Sequence, residues 1–113
     1  MAVYCFTQLI QSGKREEAKA IFEEIQHSHR SEYEASRRRL GIRTEKVWFQ
    51  SLPQGEMAVV YWEGDDPRGA LQEFASSEDP FDEWLKERGR EVYHFEPAQT
   101  LEEEEEVFEA EVL

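Results

Sequence analysis

Residues 45–62, EKVWFQSLPQGEMAVVYW, decide the reading of this chain. Val47 and Phe49 alternate with Lys46, Trp48 and Gln50, a period of two that marks a strand with one apolar face. Residues 57–62 form a second β-rich run. Between the two, Leu52-Pro53-Gln54-Gly55 puts proline at the second turn position and glycine at the fourth, as a type I turn prefers. The pattern predicts an antiparallel hairpin.

Upstream, residues 2–10 read as a strand, with Val3, Cys5, Thr7 and Leu9 on one face and Tyr4, Phe6, Gln8 and Ile10 on the other. Both faces are expected to be covered. Ser12 is expected to cap one long helix over residues 14–40 that stops at Gly41. Within it Ala18, Ile21, Phe22, Ile25, His29, Tyr33, Ser36 and Leu40 share a side at roughly 100° per residue. Arg37, Arg38 and Arg39 in the last turn complement the negative end of the helix dipole. Downstream, Asp65-Asp66-Pro67 and Ser77-Glu78-Asp79-Pro80 are two helix starts, predicting two short helices or one broken helix as far as Gly89. Residues 91–95 are expected as a fourth strand, closed by Pro97.

The order strand, helix, strand, strand, helix, strand predicts an α+β, ferredoxin-like βαββαβ sandwich: a four-stranded antiparallel sheet with both helices on one face. The second face then needs a cover. Tyr4, Phe6, Trp48 and Tyr61 or Trp62 are its candidates, and in a chain of 113 residues a second subunit is the available third layer, which predicts a homodimer. Residues 1–97 are read as one domain and 98–113 as an acidic C-terminal extension that docks on the partner subunit.

The chain carries 26 Asp and Glu against 13 Lys and Arg, a net charge of −13, and that balance argues against nucleic acid and anionic membranes as partners. No run approaches a membrane-spanning length, no leader pattern opens the sequence, and Cys5 is the single cysteine, so a cytoplasmic location is expected. Cys5 itself is expected to be a packing residue.

Residues 32–50, EYEASRRRLGIRTEKVWFQ, together with VVYWEGDDP at 59–67 and DPFDEWLKERGREVYHFEP at 79–97, resemble the dimeric α/β-barrel superfamily. The resemblance is one of layout across residues 2–97. It implies a ferredoxin-like homodimer, in a superfamily that includes quinone-forming monooxygenases, sugar mutarotases and chlorite-dismutase-like haem proteins. The mutarotase branch carries His followed by Trp-Pro in its first helix, whereas HSHRSEY at 27–33 has neither Trp nor Pro.

His27 and His29 stand two apart and point to nearly opposite sides of a helix, so they cannot share a metal. His29 lies in the apolar stripe, and His94 alternates with Tyr93 and Phe95. One reading is a pocket for a small cyclic or aromatic ligand between sheet and helices, walled by Tyr33, Trp48 and Tyr61; a second is a cofactor-independent monooxygenase or isomerase with His29 and His94 as its proton-transfer groups. The alternative readings are a filled core, a haem-binding slot, or an interaction module. Arg30, Arg37, Arg38, Arg39, Arg43 and Lys46 form a basic cluster that fits an anion site, simple helix-end compensation, or a partner for the glutamates at 102–106. Phosphate loops, dinucleotide fingerprints and cysteine metal motifs are absent from the sequence, and no cofactor or metal is expected. Glu63, Asp65 and Asp66 are read as capping residues before Pro67 rather than as a cation site.

Overall fold

A computed structural model describes residues 1–100 and 105–112. The elements are β1 (Ala2–Leu9), α1 (Arg15–Ser28), α2 (Arg30–Leu40), β2 (Ile42–Leu52), β3 (Gly55–Gly64), α3 (Pro67–Ser76) and α4 (Pro80–Val92), followed by a single helical turn at Pro97–Thr100. The class is α+β, and the sheet is antiparallel with strand order β1-β3-β2. No described helix is long and apolar enough to cross a membrane.

The hairpin forms where its alternation placed it, and Leu52 pairs with Gly55 across the Pro53-Gln54 turn. Both strands extend beyond the expected ends, β2 back to Ile42 through an irregularity between Ile42 and Thr44. Gly64, opposite Ile42, is required by a close approach: a Cβ there would collide with the Gly41 carbonyl oxygen. Gly64→Ala should therefore lower the unfolding free energy by about 1 to 3 kcal/mol, as overpacking does, read as a shift of the urea midpoint with an unchanged slope. Gly41 also sits at φ 75°, the left-handed conformation that ends a helix readily at glycine.

Four expectations change. The single helix over 14–40 is two helices, because at His29 (φ −131°, ψ 22°) the backbone leaves helical geometry. No Pro or Gly causes this break. The His29 ring instead lies 4.4 Å from that of Trp84 on α4, so packing against α4 accompanies the bend. The residue at the head of α1 is Lys14, not Ser12, and it makes no side-chain capping bond. By contrast Asp66 caps α3 through Gly69 N (3.1 Å) and Asp79 caps α4 through Phe81 N (3.0 Å), each followed by proline as expected.

The fourth strand is the third correction: the described residues hold three strands. Helix α4 runs past Gly89 to Val92, and Tyr93 N closes its last turn on Gly89 O at 2.8 Å. Val92 is 2% exposed in the core, so the helix consumes the residues a strand needs. What remains is one antiparallel bridge between Ile10 and Tyr93 at the outer edge of β1, with Gln11 N donating to Val92 O (2.7 Å) and His94 N to Leu9 O (2.9 Å).

The fourth correction concerns the sheet faces. Tyr4, Phe6, Val60 and Trp62 face the helices, in a core with Leu40, Ile42, Ala70, Leu71 and Phe74, and Ala58 is buried on the same face. A second cluster joins Ile10 to Ala18, Ile21 and Ile25 of α1 and to Phe81 and Val92 of α4. On the opposite face Val3 and Trp48 are more than half exposed, Cys5 is exposed, and Leu9, Met57, Val59 and Tyr61 are half-buried. Cys5 is thus no packing residue of this chain. Of the residues expected on the second face, Trp48 and Tyr61 lie there, while Tyr4, Phe6 and Trp62 do not.

Candidate functional site

Between the helix-facing side of β2 and helices α1, α2 and α4 lies a cleft of about 1040 Å³. Its inner wall is apolar, with Phe22, Ile25, Val47, Phe49 and Trp62 among its members. Its charged lining runs against the chain's overall sign. Eight basic residues, including Arg15, Lys19, Arg30, Arg38 and Arg43, stand against three acidic ones, Glu34, Glu45 and Glu96. Most of these bases already hold a carboxylate, Arg15 with Glu56, Arg30 and Arg38 with Glu34, Arg43 with Asp65 and Arg90 with Glu96, so what the lining keeps over its apolar wall is a modest net positive charge.

At the floor of the cleft sits a buried polar constellation. Arg37, 6% exposed, donates Nε to Glu45 Oε1 (2.8 Å) and Nη1 to Ser36 Oγ (3.1 Å), and Nη2 takes part in neither bond. The Tyr33 hydroxyl donates to the same Glu45 Oε1 at 2.8 Å. The guanidinium also lies over three rings, at 4.9 Å from the Tyr33 centroid, 5.3 Å from Trp62 and 5.4 Å from Phe74. That aromatic box offsets part of the cost of desolvating the cation.

Burial pushes the Glu45 carboxyl up, but the Arg37 guanidinium, with bonds from Arg37 and Tyr33, overcomes this and holds it below the usual carboxylate value. Glu45 is therefore an anion paired with a cation. Burial pushes the Tyr33 phenol up, the Glu45 carboxylate adds to that rise, and Tyr33 stays a neutral donor. Tyr93, on the same lining, is pushed up to about 12 by burial, with Glu45 again contributing.

Trp62 is 2% exposed, and its indole Nε1 finds no acceptor in hydrogen-bonding geometry among the described residues. It nonetheless helps to keep the Glu45 carboxylate ionised. A buried N–H without a bond costs about 1 to 3 kcal/mol.

Behind this floor a second network ties α2 to α4. Asp82, with no exposed surface, accepts from Ser36 Oγ (2.6 Å) and Ser77 Oγ (2.7 Å) and is paired with Arg39. Lys86 donates to Ala75 O (3.1 Å) and Ser77 O (2.7 Å). Every bond here has a fixed partner, so this network positions α2, and with it Tyr33 and Arg37, against the sheet.

The residues expected to form a site divide. Tyr33 lines the cleft, whereas His29, His94, Trp48 and Tyr61 are not part of its lining. His29 lies against Trp84, 4.4 Å between ring centres, and its Nδ1 meets Glu32 Oε1 at 3.2 Å. His94 is exposed beyond the end of α4. Trp48 and Tyr61 occupy the opposite face of the sheet, where the Tyr61 hydroxyl donates to Glu63 at 2.7 Å. Of the basic cluster, Arg37 turns inward, Arg39 joins Asp82 and Arg43 reaches Asp65 at 2.7 Å. Asp66 caps α3 as expected, and no group of metal-ligating side chains occurs among the described residues.

Sequence reasoning missed Glu45 and the indole of Trp62. Glu45 has a legible signal: it sits on the same side of its strand as Val47 and Phe49, an acid at an apolar position. No family model, curated protein or solved structure matches this chain.

Proposed function

We propose that this chain is a small-molecule-binding domain that holds a planar anion, such as an aromatic carboxylate, in the cleft between its sheet and helices. One observation carries the reading: an acidic chain of charge −13 lines its cleft with eight basic residues and three acidic ones. The apolar inner wall suits a ring, Arg37 supplies an N–H donor at the floor, and the basic excess favours a negative ligand. The proton-transfer and haem readings both rest on a histidine that opens into the cleft. Neither His29 nor His94 lines it, so binding is the reading adopted.

The domain is further proposed to be a ferredoxin-like homodimer. The order β1-β3-β2 and the Ile10–Tyr93 bridge outside β1 support the ferredoxin-like part, since a fourth strand of that fold would lie at this edge. The exposed sheet face with Val3, Trp48 and Tyr61 supports the pairing.

Titration calorimetry with 4-hydroxybenzoate and its neutral amide tests the ligand reading. The carboxylate should bind at least about tenfold more tightly than 4-hydroxybenzamide, the margin expected for charge-assisted bonds to a guanidinium. Equal affinities, or no heat from either, would reject it. Native mass spectrometry of the same protein reads the subunit count independently.

A further inference from the structure

We infer that the C-terminal segment of a second copy, residues 105–112, seats in the basic cleft. The inference stands without the small-molecule reading, because it rests on two complementary parts of one chain.

The first part is the segment. Residues 105–112 carry Glu105, Glu106, Glu109 and Glu111 and no base, and they form no regular element. Every residue of it is exposed, with Val107 and Phe108 at 83% and Val112 at 94%. An acidic peptide that presents three large apolar side chains to water is built to cover another surface.

The second part is the cleft. Its lining is basic, its wall offers Phe22, Val47 and Phe49, and along it runs β2, an edge strand of the sheet. An extended segment laid in the cleft, without adding to the sheet, puts Phe108, Ala110 and Val112 on one side, against the apolar wall, and Glu109 and Glu111 on the other, toward the basic rim at Lys19, Arg30 and Arg38. The chain's own segment stands clear of the body, so the occupant assigned is that of a second copy, exchanged reciprocally. A small anion and this segment then compete for one cleft.

The test uses the full chain with Phe108 replaced by p-benzoylphenylalanine, mixing isotopically labelled and unlabelled protein before irradiation. Mixed-isotope cross-links from position 108 to α1, α2 or the helix-facing residues Val47 and Phe49 of β2 are expected. Cross-links confined to one chain, cross-links to the Trp48 face, or none at all would overturn the inference. In the same protein, Glu109→Lys with Glu111→Lys should lower the mixed cross-link by about fivefold through loss of the charge match, an effect that fades at high salt. An unchanged yield in that variant also rejects it.

Discussion

Arg37→Ala should lower the unfolding free energy by about 3 to 5 kcal/mol, because it leaves the Glu45 carboxylate buried without its cation. The same change removes the guanidinium held among Tyr33, Trp62 and Phe74, so the loss exceeds that of an exposed ion pair. Chemical denaturation monitored by circular dichroism measures it. A cost below about 1 kcal/mol, the range of a surface pair, would show that the guanidinium is not buried with Glu45 in solution. Replacing both partners together, with Arg37→Met and Glu45→Leu, should cost less than Arg37→Ala alone, since no unpaired charge remains.

Acid unfolding reports the same pair. Glu45 titrates lower folded than unfolded, so its contribution is complete above the ordinary carboxylate range, about pH 4 to 5, and is lost as pH falls through the lowered value. In Glu45→Gln that component is absent. The variant is less stable near neutrality, but its unfolding free energy declines less steeply as the solution is acidified.

Trp62→Ala is the second large effect. Removing an indole that is 2% exposed should cost about 3 to 5 kcal/mol through lost burial and the cavity left behind. Trp62→Phe separates packing from the unpaired N–H. It gives up part of the ring but also removes a buried donor without an acceptor, so the stability cost should stay below about 1.5 kcal/mol. A full-sized stability loss in Trp62→Phe would instead mean that the N–H is bonded within the protein.

The hairpin, the two proline-led helices and the end at Gly41 were legible because each rests on local chemistry. Alternation marks a strand, an aspartate before proline starts a helix, and glycine accepts the left-handed turn that ends one. The break at His29 was not legible, since no residue there disfavours a helix and the bend accompanies packing against Trp84. The fourth strand misled for a related reason. Tyr93, His94 and Phe95 alternate as a strand does, but Val92 fills a core position as the last residue of α4.

The site was half legible. Tyr33 and Arg37 stood in the right helix, yet the apolar stripe also nominated His29, whose ring turns toward α4. Strand periodicity separates Trp48 from Phe49 but cannot say which face meets the helices, and Trp48 and Tyr61 lie on the other one. By itself the sequence determined the α+β class, the hairpin, the capped helices and the excess of acid, because those depend on near neighbours in the chain. Only the tertiary structure decided that β1 keeps its outer edge nearly bare, that Glu45 meets Arg37 beneath Trp62, and that the basic residues gather on one cleft. Those outcomes depend on which surfaces pack together, and burial acts between residues that no local pattern connects.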